Sequence, residues 1–307
     1  MSMRIKRHFK RKFIIPVLIC LLIIALLIGI LLQLGVLKKP SWSDSVENIA
    51  TTTKGSLGPI FLHDGEGSIT DDRTAPADKK VLVEYVRVTG GCGPFYEGEC
   101  LRVRSGPGTE YPVIDRLRNE VVLKVGGKSE SDGVSWYKIV FDEWLRYPER
   151  LEGDWYVAAD YVEVLQDEGS KTTWDDGNAA SANKKIIVDR SEQKLYAYEG
   201  EMLFMEILIS TGLELTPTPR GTFSVFKKTP SRYMQGPLPG LADQQVYDLP
   251  GVPWNLYFTQ EGAVIHGAFW HTSFGRPYSH GCVNVPPKEA RELYIWTELG
   301  TKVIIRD

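Results

Sequence analysis

From Phe13 to Leu37 the chain is almost wholly apolar, interrupted only by Pro16, Gly29, Gln33 and Gly35. About twenty such residues cross the hydrocarbon core of a bilayer as a helix, so the run is long enough to span. The segment before it, residues 1–12, carries Arg4, Lys6, Arg7, Lys10, Arg11 and Lys12 and no acid. A basic flank stays on the cytoplasmic side, which places everything after Lys39 outside. A cleaved secretory signal would have a shorter apolar core ending in a small-residue cleavage site. The pattern instead predicts an uncleaved, single-pass transmembrane signal anchor over 13–37 behind a cytoplasmic tail. The rest of the chain must then fold outside the cytoplasm, beyond the cell membrane.

Charge and cysteine usage fit that division. Of 36 Lys and Arg, eight precede Pro40, leaving 28 against 39 Asp and Glu in the remainder. A markedly acidic outer portion argues against nucleic acid as a partner. Cys20 lies in the apolar run and reads as a small apolar residue. Cys92 and Cys100 flank a Gly-Pro-rich turn, and outside the cytoplasm they are expected to form a disulfide. Cys282 is left unpaired, which marks it as a candidate reactive thiol.

Two polar stretches without apolar period divide the rest. Residues 38–80 read as a flexible tether, and 166–183 as a linker between two folded parts, 81–165 and 184–307. The first part is a series of short strand signals: Val81 to Val88, Leu101 to Arg104, Val121 to Val125, Trp136 to Val140 and Trp155 to Val157. The second predicts strands at Lys185 to Arg190, Lys194 to Tyr198, Met205 to Ser210, Gly221 to Phe226, Val264 to His266 and Val303 to Ile305. Glu199-Gly200 makes a hairpin turn. Pro286-Pro287 opens a helix that Gly300 ends, with Ala290, Leu293, Tyr294 and Thr297 as its stripe. Tyr233 to Leu249 has no period and reads as a lid or an irregular connection. The fold class expected is mainly β with one clear C-terminal helix.

Chemistry concentrates in Ser279-His280-Gly281-Cys282-Val283-Asn284 and in His266. The chain has five histidines, and His266, His271 and His280 lie in this window. A thiol attacks carbonyls well only as a thiolate, which a neighbouring imidazole supplies. Cys282 is the candidate nucleophile and His266 its base. A third group should orient the imidazole, and no nearby acid offers itself. Backbone N–H groups at Gly281 and Cys282 are candidates to hold an oxyanion, and His280 to hold the loop or polarise the thiolate. Ser279, Asn284, Arg276, Tyr278 and Tyr233 are candidate substrate contacts, Arg276 through a carboxylate. His271 reads as a surface residue of the loop. Three histidines and a cysteine could also bind zinc, but His280 and Cys282 are one residue apart and no His-Glu-x-x-His motif exists, so neither metal nor other cofactor is expected.

Two resemblances go with these motifs. Leu101-Arg-Val-Arg-Ser-Gly-Pro-Gly-Thr-Glu-Tyr-Pro-Val-Ile, Trp136-Tyr-Lys-Ile and Asp154-Trp-Tyr-Val-Ala-Ala-Asp-Tyr-Val resemble bacterial Src-homology-3-type (SH3-like) domains. That implies a small β-barrel that targets or spaces the protein at the cell wall. The Cys92–Cys100 loop and the lengthened loop Phe141 to Gly153 depart from that family's pattern. Val188-Asp-Arg-Ser-Glu-Gln-Lys-Leu-Tyr-Ala-Tyr, Ser210-Thr-Gly, Thr216-Pro-Thr-Pro-Arg-Gly-Thr-Phe, Ile265-His-Gly and Ser279-His-Gly-Cys-Val-Asn resemble the L,D-transpeptidase catalytic family. The resemblance implies a β-rich enzyme that acts on peptidoglycan stem peptides. Such an enzyme cuts the bond between meso-diaminopimelate and terminal D-Ala and passes the acyl group to an amine. The resemblance also implies the backbone carbonyl of Gly267 as the group that orients the His266 imidazole. Water as acceptor would make it a carboxypeptidase. The same residues also leave room for a papain-like wall peptidase on another fold, or for a non-catalytic wall anchor.

Overall fold

The computed structural model describes residues 80–173, 183–237 and 245–307. The apolar run 13–37, its basic tail and most of the tether lie outside the described residues, as does half of the 166–183 linker. No helix among the described residues is long and apolar enough to cross a membrane. All described residues belong to one compact unit.

The first part is one antiparallel seven-stranded sheet. Its strands are β1 (Val83–Val88), β2 (Leu101–Arg104), β3 (Val113–Leu117), β4 (Val122–Ser131), β5 (Val134–Val140), β6 (Trp155–Ala158) and β7 (Val162–Asp167), in the order β3-β2-β6-β5-β4-β1-β7. Asp132 and Gly133, both at positive φ (51° and 73°), turn β4 into β5, as a two-residue hairpin of matching twist requires. Cys92 and Cys100 are joined by a disulfide with Cα atoms 4.1 Å apart.

The second part holds two five-stranded sheets. One is ordered β11 (Met202–Leu208), β10 (Lys194–Glu199), β9 (Lys184–Asp189), β17 (Lys302–Arg306), β12 (Gly221–Ser224). The other is ordered β16 (Val283–Val285), β15 (Val264–Gly267), β14 (Val246–Tyr257), β13 (Lys227–Pro237), β8 (Lys171–Thr172). β8 comes from the stretch read as a linker, and its residues extend the second sheet through Lys227 and Lys228. Helix α1 (Pro287–Trp296) packs on β14 and β15. It buries Ala290, Leu293 and Tyr294, with Thr297 just beyond, as the stripe predicts. It ends short of Gly300, because Thr297 is already extended (ψ 131°) and its hydroxyl donates back to Leu293 O at 2.6 Å. Lys228 Nζ donates to the free carbonyls of Tyr294 (2.6 Å) and Thr297 (2.7 Å), a cation where the helix end is negative.

The expectation for 233–249 is corrected. Its described ends are strand: β13 and β14 pair from Lys227–Tyr257 out to Pro237–Val246. The ladder absorbs a bulge between Arg232 and Met234.

This long hairpin also carries the first sheet. Val252 and Phe269 belong to the apolar cluster that contains Val86, Val103, Leu123 and Val157, while Tyr85, Val122 and Leu165 belong to the core of the second part. Polar contacts follow the same seam. Glu143 accepts the Tyr233 N–H (2.6 Å), Tyr147 N–H donates to Gln235 (3.0 Å), Ser231 Oγ donates to Val122 O (2.6 Å), and Arg150 pairs with Asp248 (2.8 Å). Glu143, Tyr147 and Arg150 all lie in the lengthened loop Phe141 to Gly153. Two apolar clusters that each draw residues from both parts, with hydrogen-bonded polar groups along the seam, are the packing of one body, not of beads on a string.

Candidate active site

The parallel pairing of β15 with β16 sets His266 opposite Asn284 and Ile265 opposite Val283. This brings together two motifs that are far apart in sequence. Cys282 is the residue before β16, at the mouth of a cavity of about 900 Å³ that His266, Trp270, Tyr278, Ser279, His280 and Asn284 also line.

The loop that presents the thiol is held by its own backbone. Gly281 sits at φ +116°, a conformation an L side chain rarely adopts, which accounts for glycine there. Ser279 Oγ accepts the Gly281 N–H (3.2 Å) and donates to the Cys282 carbonyl, which Thr218 Oγ1 also reaches at 3.3 Å. Segment Ser210-Thr-Gly is laced alongside: Ser210 and Asn284 exchange backbone bonds (2.9 and 2.8 Å), and Thr211 O accepts from Ser279 N–H (3.0 Å). Gln193 fixes that segment in turn, accepting from Thr211 N–H (2.9 Å) and donating to Thr211 Oγ1 (2.7 Å). Gln193, Thr211 and Thr218 lie in the stretches that carry the family resemblance, but the sequence reading assigned them no role. Of the two backbone donors considered for an oxyanion, Gly281 N–H is committed to Ser279. Cys282 N–H has no acceptor among the described residues.

His266 is fully buried, and its Nδ1 lies 3.0 Å from Gly267 O. A carbonyl can only accept, so Nδ1 carries the proton and Nε2 presents a lone pair. That Nε2 is buried without a partner among the described residues. Burial pulls the imidazole down from 6.5 to about 4, against the Gly267 bond and helped by the charge of Arg232. Burial also raises the Cys282 thiol, while a hydrogen bond from the Val264 backbone and the charge of Arg232 work the other way. The resting pair is therefore a neutral thiol and a neutral imidazole.

His271 is not a surface residue: it is 1% exposed. The Ser273 N–H donates to its Nδ1 at 3.0 Å, so Nε2 holds the proton. Nε2 faces the Asn284 side-chain amide at 2.8 Å, whose oxygen must be the acceptor. Burial pulls this ring too to about 4. Asn284 is accordingly a buried strut between His271 and Ser210. His280 is exposed and lies parallel to the Tyr247 ring, centroids 6.4 Å apart. Tyr278 is on the cavity wall, its ring 4.6 Å from His271.

Two of the sequence candidates are elsewhere. Tyr233 is buried against Phe141 (5.0 Å) and Trp155 (6.5 Å), because strand alternation sends Arg232 and Met234, not Tyr233, to the cavity. Arg276 is off the cavity wall and donates to Ser273 Oγ at 2.8 Å. The cavity's cations are Arg232 of β13 and Arg118, which follows β3. Among the described residues no cluster of His, Cys, Asp and Glu could hold a metal ion.

Residues 183–305 match the family model of the L,D-transpeptidase catalytic domain (YkuD), and residues 101–174 that of the bacterial SH3 domain. A Bacillus licheniformis protein named as an L,D-transpeptidase YkuD is 27% identical over 124 residues, 39% of this chain and 64% of that protein. A crystal structure of an Enterococcus faecium L,D-transpeptidase mutant is 29% identical over 40% of this chain, with a TM-score of 0.37. A Mycobacterium smegmatis L,D-transpeptidase is 20% identical over 60% of this chain and 93% of its own, with a TM-score of 0.38. The chain thus spans under two thirds of the curated relative and 50% of the Enterococcus protein.

Proposed function

We propose that this chain, with its L,D-transpeptidase catalytic domain preceded by a bacterial SH3 domain, is a membrane-anchored cysteine transpeptidase of peptidoglycan. It opens the diaminopimelate–D-Ala bond of a tetrapeptide stem through a Cys282 thioester and hands the acyl group to an amine. The observation that carries this reading is the unpartnered Nε2 of a neutral, buried His266 on the wall of the cavity that holds Cys282.

That free lone pair supports the following steps. The Cys282 sulfur attacks the donor carbonyl while His266 Nε2 takes the thiol proton. Cys282 N–H is the backbone donor left for the oxyanion. The new imidazolium is unfavourable in this buried site beside Arg232, so it is short-lived. Its proton passes to the departing amine nitrogen of D-Ala as the C–N bond breaks, and the thioester remains. The Gly267 carbonyl, bound to Nδ1–H, eases the transient charge. An acceptor amine then attacks, Nε2 takes its proton, the C–S bond breaks, and Nε2 returns that proton to the departing sulfur to restore the thiol. Attachment to the membrane rests on Phe13–Leu37 and orientation on the basic tail.

The test is incubation of the purified protein with a disaccharide-tetrapeptide, with products read by mass spectrometry. Crosslinked dimer and free D-Ala are expected. An added D-amino acid should give exchanged tetrapeptide at the expense of dimer. Tripeptide and D-Ala alone, with an amine in excess, would make the protein a carboxypeptidase.

A further inference from the structure

We propose that Arg118, which belongs to the SH3-like part of the chain, binds a carboxylate of the substrate in the Cys282 cavity. This rests on the transpeptidase reading and adds that the SH3-like part is a piece of the substrate site.

Arg118 lines the same cavity as Cys282 and His266, together with Arg232 and one acid, Glu261. Its guanidinium is already oriented. It lies over the Tyr96 ring at 4.5 Å and over the Phe269 ring at 5.1 Å, and its Nη1 donates to Pro94 O at 3.2 Å. Pro94 and Tyr96 are inside the loop closed by Cys92 and Cys100. Cys92 itself pairs with Arg118, and its carbonyl accepts the Asn119 N–H at 2.9 Å. Phe269 comes from the catalytic part, three residues after His266. The disulfide loop thus props a guanidinium against the catalytic wall.

The group is held without being neutralised. Arg118 makes no ion pair with a carboxylate among the described residues, and one hydrogen bond leaves most of its five N–H donors unused. Burial lowers its pKa, with Tyr96 and Asp115 opposing. A planar fork of donors on an aromatic face matches a carboxylate. The proposed donor carries carboxylates at the diaminopimelate side chain and at the terminal D-Ala. The shared seam between the two parts keeps the fork in place, as binding through it requires.

The full-length protein supplies the test. Three donors are compared: the tetrapeptide, the tetrapeptide amidated at the diaminopimelate side chain, and the tetrapeptide amidated at D-Ala. Dissociation constants are measured on a Cys282→Ala background, and kcat and KM on the active protein. Arg118→Gln should weaken the tetrapeptide by about tenfold, the factor carried by one charge-assisted contact. One amidated donor should already be weak with Arg118 and indifferent to its loss, which names the carboxylate. Arg118→Lys should restore part of the affinity. Replacing both Cys92 and Cys100 by Ser should weaken the same donors, because Pro94 and Tyr96 lose their tie. Melting temperature and the rate of Cys282 alkylation by iodoacetamide report an intact cavity. Equal affinity of Arg118→Gln and wild type for all donors overturns the proposal, and so does a uniform loss with a lowered melting temperature. Turnover by the wild type that Arg118→Gln leaves unchanged sinks this inference alone. The carboxylate-specific loss of affinity without any turnover sinks the transpeptidase reading alone.

Discussion

Two buried neutral histidines beside the reactive loop should make the fold acid-labile, and His271→Asn isolates the effect. Burial holds His266 and His271 at about 4, against an ordinary 6.5. Their folded values lie below the unfolded ones, so in acid the unfolded chain takes up protons first. The contribution of each ring is complete above pH 6.5 and is lost as pH falls toward 4. The gap corresponds to about 3 kcal/mol per ring at full loss, and about 2 kcal/mol of it is gone by about pH 4.5. Glu143 works in the other direction. Burial pushes its carboxyl up to about 7, so the folded state gains a proton, and stability, as pH falls from 7 toward 4.5. The wild-type curve therefore mixes opposing terms, and only the difference between proteins is diagnostic. Urea unfolding followed by tryptophan fluorescence at about pH 7 and about pH 4.5 measures it. His271→Asn should be less stable at neutral pH, having lost its bonds to Ser273 and Asn284. Its further loss on acidification should be about 2 kcal/mol smaller than that of wild type. Equal losses in the two proteins would refute the claim that His271 is buried and neutral.

Three further outcomes are expected. Gly281→Ala, forced to φ +116°, should cost about 1–3 kcal/mol of local strain and slow Cys282 alkylation, as rates measured against iodoacetamide will show. A β-lactam carbonyl should be captured on the Cys282 sulfur, giving an adduct by mass spectrometry that vanishes in Cys282→Ala and forms much more slowly in His266→Ala. Thiol counting on the denatured, unreduced chain should find Cys20 and Cys282 free, and four thiols only after reduction.

The mainly β character and the helix were legible because they rest on local pattern. Leu101–Arg104 alternates and is β2 to the residue, and the Glu199-Gly200 turn closes β10 on β11. Edge strands were harder. Val113-Ile-Asp-Arg-Leu does not alternate, and as the outermost strand it packs on one neighbour only. The hairpin β13–β14 was hidden by Pro230, Gly236 and Pro250, residues that normally mark loops; here Pro250 falls at the bulge, and Gly236 pairs with Tyr247 within the ladder. The motif histidine and cysteine could be named because the chemistry needs those types close together. His271, Gln193 and Thr218 could not, since their role is a hydrogen bond to a residue distant in the chain. Arg118 was the least accessible: nothing local says that a residue after β3 lines a cavity built by β13, β15 and the Cys282 loop.

Arg232 offers the sharpest check on how that cavity works, because one charge acts on both reacting groups. It lowers the Cys282 thiol and lowers the His266 imidazole. The first effect favours the thiolate and the second disfavours the imidazolium that takes its proton, so the charge eases ionisation at sulfur and keeps the transferred proton from resting on the base. Its guanidinium lies over the Tyr257 ring at 5.4 Å, on the hairpin that also receives the SH3-like part. Arg232→Gln removes the charge and keeps much of the length. Both groups should then titrate higher, and the pH profile of Cys282 alkylation should move to higher pH at both its thiol and imidazole limbs. The same variant made in His266→Ala should move only the thiol limb, since the second group is gone. Movement to lower pH, or no movement, would show that the positive charge is not felt at the sulfur. The neutral-pair mechanism would then need another source for the acidity of its thiol.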